Sequence, residues 1–177
     1  MIKMQSLTNI NIYLNYDKNE VNENEYIKIV RFLNKEAELL EYRKYLEWLD
    51  FLHPDVEYIV LVREIKDKKD NSISNGLLIY DKKDTIKIKI DRLTSNYAWS
   101  DNPPSVSKYM ITNILAYNFM DYYLARSNVL FIKYRSSDLM YLTYKRADII
   151  SKDMKILKRI VLPDVHSINM QDLTYFL

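Results

Sequence analysis

A single glycine, Gly76, serves the whole 177-residue chain, where average usage would supply about a dozen. Glycine-rich phosphate loops need several glycines, because only a bare Cα lets the backbone turn sharply and approach a diphosphate. Rossmann and Walker-type nucleotide sites are therefore excluded. In Asn75-Gly76, at the head of GLLIYD, Gly76 reads as a turn residue that opens a strand. The length predicts one domain spanning residues 1–177. With 48% apolar and 28% charged residues, the chain has the side chains for a core and lacks the composition of a disordered tail.

Other chemistries fall with the residues they need. There is no cysteine, so disulfides, thiolate nucleophiles and thiolate-ligated metals are excluded, and the two histidines, His53 and His166, are far apart, so no metal site is expected. A net charge of +2 makes nucleic acid a disfavoured partner, and the basic stretches Lys66–Asp70 and Lys152–Arg159 are diluted by acids or apolar residues. The 16 tyrosines, with abundant Ile, Lys and Asn, read as the product of an AT-rich microbial or viral genome; a base-stacking surface is the other reading. Met1–Ser6 lacks a signal-peptide pattern and no apolar run spans a bilayer, so an intracellular, cytoplasmic protein without a membrane partner is expected.

Periodicity then places the elements. Leu7–Leu14 alternates as a strand. Asn22 or Asn24 can cap a helical stretch from Tyr26 to about Leu52, long enough for two helices with a break near Asn34–Glu38, and His53-Pro54 stops it. Glu36, Glu38 and Glu41 beside Lys35, Arg43 and Lys44 read as a solvated, ion-paired face. Three antiparallel strands follow, at Tyr58–Ile65, from Gly76 to Asp81, and at Thr85–Leu93, the last alternating strictly. After a loop from Thr94 to Pro104 that holds Tyr97 and Trp99, Ser105–Arg126 reads as a long amphipathic helix. Val129–Tyr134 reads as a strand, Ser137–Ala147 as a short helix and Lys155–Leu162 as a last strand. The apolar tail residues Ile168, Leu173, Tyr175, Phe176 and Leu177 can pack as a further strand or against a second copy, so a homodimer is among the expected partnerships. The fold class is α+β, with a mixed, mostly antiparallel sheet and helices on both faces.

The element order, and the stretch Ser137-Asp-Leu-Met-Tyr-Leu-Thr-Tyr144-Lys-Arg-Ala-Asp-Ile149, resemble the GNAT acetyltransferases and their Asn-x-x-Ala-x-x-Leu-Tyr-Glu-Lys-x-Gly-Phe segment. The resemblance puts Ser137, Met140 and Tyr144 at the Asn, Ala and Tyr places, and Asp148 and Ile149 at Gly-Phe. It implies an N-acyltransferase moving an acetyl group from acetyl-CoA to an amine, carried by a small molecule or a protein. Tyr144 would be the acid that protonates the leaving thiolate, with Tyr141 as the spare candidate; Glu64 or Asp91 would be the base. The cofactor would sit at Leu93, Asn102, Ser105, Val106, Ser107 and Lys108, with Arg92 also in reach of phosphate. That segment lacks the family's glycines and carries two prolines, which donate no N–H. The alternative is a GNAT-like protein that has lost the cofactor and works through protein–protein contacts.

Overall fold

The computed structural model describes residues 10–67, 72–94, 105–135, 138–165 and 176–177. Its frame is a six-stranded mixed sheet in the order β2-β1-β6-β5-β4-β3. The strands are β1 (Leu52–Asp67), β2 (Ser72–Asp81), β3 (Val106–Phe119), β4 (Tyr122–Arg135), β5 (Asp138–Ile150) and β6 (Ile156–Pro163). Only the β1–β6 pair is parallel among the five pairings. Among the described residues four α-helices accompany them: α1 (Ile10–Asn15), α2 (Glu23–Glu41), α3 (Tyr45–Trp48) and α4 (Lys83–Thr94), with a 3-10 turn at Leu49–Phe51 after α3.

Helix α2 takes Asn22, one of the two expected caps, and starts at Glu23, ahead of the expected Tyr26. The Asn22 side chain accepts from the Glu25 amide at 3.0 Å, and the Glu25 carboxylate accepts in return from the Asn22 amide. The helix then runs unbroken through Asn34–Glu38, because Ile29, Leu33, Ala37 and Leu40 keep one apolar row facing the sheet. Helical geometry ends before Pro54, and β1 begins at Leu52.

Four expected elements change type, and the physical reason is shared. Val106, Met110 and Ile114 recur every four residues, as do Leu115, Phe119 and Tyr123; a four-residue step keeps one face on a helix and on a strand alike. The stretch is dense in β-branched and aromatic residues, and it forms the β3–β4 hairpin around Met120–Asp121 instead of a long helix. The expected short helix at Ser137–Ala147 is β5, with Ser137 itself outside the described residues. Conversely, the alternating Thr85–Leu93 is helical, part of α4. Ile86 and Ile90, four apart, are buried while Ile88 between them is 54% exposed. Of the expected first strand, Ile10–Leu14 lies in α1 and residues 7–9 are outside the description.

Gly76 lies inside β2 opposite Val62. Left-handed backbone falls instead to Asn19, Arg43, Asn113, Met120 and Met154 among the described residues. Each side chain with a Cβ in that region costs roughly 1–2 kcal/mol, least for asparagine.

Helices α2, α3 and α4 cover the inner face of the sheet, and Trp48, Tyr58, Val60, Ile86, Ile90, Phe131 and Val161 lie in the core between. On the outer face α1 brings Tyr13 and Leu14 against Leu124, Ile149 and Ile160. The α+β class, the mixed sheet and helices on both faces stand. The acetyltransferase layout does not, since its long central helix and its last helix are both strands here.

Candidate functional site

The inner face holds a buried set of charges. Glu36 projects from α2, Arg146 and Asp148 from β5, and Arg159 from β6, all at most 2% exposed. Arg159 grips Glu36 with two bonds, Nη1 to Oε1 at 2.5 Å and Nη2 to Oε2 at 2.8 Å, and donates from Nε to Asp148 Oδ1 at 2.7 Å. Trp48 Nε1 donates to Glu36 Oε1 at 2.9 Å. Arg146 lies at ion-pair distance from both acids, Nε 2.9 Å from Asp148 Oδ2 and Nη1 3.6 Å from Glu36 Oε2. Despite this closeness, Arg146 Nε and Nη2 and Asp148 Oδ2 make no hydrogen bond. Burial works against the Glu36 carboxylate, but the Arg159 and Arg146 guanidiniums outweigh it and bring its pKa down to about 2. Two acids and two guanidiniums cancel in charge. Closed off from solvent, these carboxylates are poorly placed to exchange protons with a substrate.

Beside the charges stands a group of tyrosines that enclose Phe176 and Leu177. Tyr109 of β3 donates its hydroxyl to the Phe176 carbonyl at 2.6 Å, and Tyr58 of β1 donates to the Leu177 carbonyl. The Phe176 ring lies 4.5 Å from Trp48, 6.0 Å from Tyr45 and 6.4 Å from Tyr58, centroid to centroid. Burial pushes the phenols of Tyr58, Tyr109 and Tyr144 up from their ordinary value, so all three are donors at neutral pH.

Among the described residues, the outer face is covered at one end only. Beyond α1, the register aligns Val106 with Tyr134, Met110 with Leu130, Ile132 with Tyr141 and Tyr134 with Leu139. Paired residues share a face, so these side chains form one continuous patch. Val106, Met110, Tyr134, Leu139 and Tyr141 are each more than half exposed. A hollow of about 520 Å³, lined by Leu14, Asn113, Arg126 and Lys145 among others, separates the patch from α1. Arg126 fixes that border by donating to the Leu14 carbonyl and to the Tyr117 hydroxyl, both at 3.1 Å.

The residues expected to form an acetyl-CoA site do not converge. Ser105, Val106, Ser107 and Lys108 lead into β3 and not into a helix, so no helix N-terminus is there to receive a diphosphate. Residues 106–108 pair with Tyr134, Lys133 and Ile132 of β4. Ser105 is buried, and both its carbonyl and its hydroxyl accept from Arg43 Nη2, at 2.9 and 3.2 Å. Lys108 is held by Glu41 at 2.6 Å, and Val106 belongs to the outer patch. Leu93 and Asp91 are on α4, Leu93 against the core and Asp91 exposed. Glu64 stands opposite Ser74 on β1, near the sheet edge away from β3. Asn102, Tyr97, Trp99 and His166 are outside the described residues. Tyr144 is buried on the inner face of β5, its hydroxyl without a partner, and Tyr141 is exposed on the outer face.

The sequence reading missed the charge set, having put Glu36 on a solvated face. A signal was present: Glu36 stands three residues after Leu33 and four before Leu40, inside the apolar row of α2. Arg146, Asp148 and Arg159 likewise interrupt apolar strand sequence. Charges set in apolar rows point to buried partners.

Comparison with known proteins supplies the identity. Residues 35–169 match the family model for the ring hydroxylating beta subunit. The chain is 28% identical over 155 residues to the N,N-dimethyl phenylurea N-demethylase subunit beta of Sphingobium sp. (strain YBL2), covering 83% of this chain and 88% of that one. It is 25% identical over 162 residues to the biphenyl 2,3-dioxygenase subunit beta of Rhodococcus jostii (strain RHA1), covering 84% and 87%. In structure it is similar to a chain of naphthalene 1,2-dioxygenase solved with indole in the active site, at a TM-score of 0.77 and 19% identity over 100% of both chains. The beta subunit of benzoate 1,2-dioxygenase from Burkholderia mallei gives a TM-score of 0.64 at 19% identity, over 81% of this chain and 93% of that one. These matches overturn the GNAT resemblance, and with it the acetyltransferase activity, the acetyl-CoA cofactor and the alternative of a cofactor-free GNAT relative. The chain belongs to the ring-hydroxylating beta subunit family.

Proposed function

We propose that the chain serves as the beta subunit of a ring-hydroxylating oxygenase, and that the bare half of its outer sheet face is where the alpha subunit docks. The observation that carries this reading is the patch of Val106, Met110, Tyr134, Leu139 and Tyr141. Contiguous exposed apolar side chains on a stable sheet mark a partner surface, and tyrosine and methionine are favoured there. The relatives are themselves named as beta subunits, which implies an assembly of unlike chains. Redox metal chemistry falls to the partner in this reading. The chain has no cysteine for an iron–sulfur cluster, and among the described residues no three His, Asp or Glu are gathered as ligands. Its share is a rigid platform, backed on the inner face by the buried side chains of Tyr109, Phe131 and Leu142 from the same three strands.

The test is co-expression with an alpha subunit from the same source. The wild-type chain should co-elute with it in size exclusion, and the double variant Leu139→Glu/Tyr141→Glu should fold but elute alone. Co-elution of the double variant at wild-type yield contradicts the docking face. Self-association of the wild-type chain that the same two substitutions abolish assigns the patch to a second copy instead.

A further inference from the structure

Strand β3 is interrupted where it borders the hollow on the outer face. Thr112 pairs with Asn128 and Leu115 with Arg126, so Asn113 and Ile114 together stand opposite Ser127 alone. This is a β-bulge, and Asn113 takes up its bend in left-handed backbone, at φ 50°. Bulges recur beside functional sites, where they re-aim side chains. The hollow that opens here, about 520 Å³, is lined by Asn113, Arg126, Asn128 and Lys145. Arg126 spends its bonds on two neutral oxygens, the Leu14 carbonyl and the Tyr117 hydroxyl, and its Nε has no partner. Lys145 stands across from Asn128 and is exposed; among the described residues its ammonium meets no acceptor. Nor do the side-chain amides of Asn113 and Asn128 have partners there. Two positive charges thus share one concave wall, and no acid lines it among the described residues.

Strand register ties this hollow to the apolar patch. Met110 and Thr112 are two apart on β3, as are Leu130 and Asn128 on β4. The Met110–Leu130 row of the patch is therefore followed directly by the row of Thr112, Asn128 and Lys145, about 7 Å away. A partner that covers the patch also takes water from this neighbouring row. A cation that loses its water without gaining an opposite charge is costly, so such a partner must bring an anion. We propose that the hollow receives a carboxylate side chain of the alpha subunit, held by the Lys145 ammonium and the amides of Asn113 and Asn128. The donor set suits that group: the ammonium donates only, and each amide can turn its NH2 towards the ligand. The Arg126 charge adds attraction at longer range. The inference deepens the docking role proposed above and rests on it.

The test titrates the labelled chain with the alpha subunit from the same source and follows binding by sedimentation velocity. Lys145 is exposed, so its variants should keep the wild-type circular dichroism spectrum. At low salt Lys145→Gln should bind about tenfold more weakly than wild type, the effect of one lost charge-assisted hydrogen bond. Lys145→Glu should bind about a hundredfold more weakly, because two carboxylates then face each other. Raising KCl from about 0.05 to 0.5 M should weaken wild type more steeply than Lys145→Gln, which lacks the screened pair. Lys87→Glu makes the same charge change on an exposed lysine of α4 and should keep wild-type affinity. Wild-type affinity for Lys145→Glu overturns the proposal, and so does equal weakening by Lys87→Glu, which makes the effect one of net charge. Leu139→Glu/Tyr141→Glu tells the two failures apart. If it abolishes binding while Lys145→Glu binds normally, the docking face stands and the carboxylate falls; if both bind normally, both fall. Self-association abolished by Lys145→Glu, with affinity for the alpha subunit unchanged, gives the hollow to a second copy and overturns the proposal too.

Discussion

The two faces of this sheet use similar side chains to opposite ends. On the inner face Tyr58, Tyr109, Phe131 and Tyr144 are closed under helices, and every charge there has an opposite charge within reach. On the outer face Tyr134, Tyr141, Leu139 and Met110 point outward, with α1 covering only the far end. The difference is one of cover and not of composition. A strand supplies both faces by alternation, so β5 sends Leu142, Tyr144 and Arg146 inward while Leu139 and Tyr141 face out. What decides the role of a face is the element that packs on it, and among the described residues half of the outer face has none.

Several substitutions would break or sharpen that contrast. The largest effect belongs to Glu36→Leu, which leaves Arg159 and Arg146 without one of their two counter-charges in a closed interior. It should lower the unfolding free energy by about 3–5 kcal/mol in urea titration. A loss under about 1 kcal/mol would show that the inner charges are solvated after all.

Acid should act through the same residue. The Glu36 pKa is near 2 in the folded chain and in the ordinary carboxylate range when unfolded, so the unfolded chain binds the proton more readily. The stabilisation is therefore complete above about pH 4.5 and is lost as pH falls towards about 2. In Glu36→Gln that part of the acid slope should vanish when thermal midpoints are followed across this window. An unchanged slope would assign it to other carboxylates.

Tyr144→Phe sharpens the comparison from the other side. It removes a buried hydroxyl that has no partner, so stability should rise by about 1 kcal/mol, where a hydrogen-bonded hydroxyl would give a loss of similar size. The smallest effect is expected on the outer face. Met110→Glu should change the unfolding free energy by no more than about 0.5 kcal/mol, because the side chain is half exposed and supports no core contact that unfolding would report. A loss of several kcal/mol would mean that the patch is part of the fold and not a surface kept for a partner.

How far the chain could be read from its letters depended on whether a pattern had one structural meaning. The stop at Pro54 and the apolar run of β1 each had one and were legible, while the cap of α2 was narrowed to Asn22 or Asn24, of which the fold uses Asn22. The α+β class was read from the order of all the elements and survives although four of them change type. The four-residue steps in Val106–Tyr123 and the alternation in Thr85–Leu93 had two meanings, and pairing partners far along the chain chose between them. The same swap produced the acetyltransferase resemblance, since β3 and β5 were taken for that family's helices. Tyr144 was read as the acid of an acetyl transfer, an activity that the family match overturns. The docking patch was not legible at all, because it joins Val106, Tyr134, Leu139 and Tyr141 from three strands whose register only the folded sheet sets.

Side-chain footprinting with hydroxyl radicals, on the chain alone and in complex with the alpha subunit, tests the central claim most directly. Met110, Tyr134 and Tyr141 should be oxidised readily in the free chain and protected several-fold in the complex. Met120 at the β3–β4 turn, well exposed and at the opposite end of the hairpin from the patch, should react equally in the two. Equal oxidation of Met110, Tyr134 and Tyr141 with and without the alpha subunit, in a complex shown to be intact, would contradict the assignment of this face.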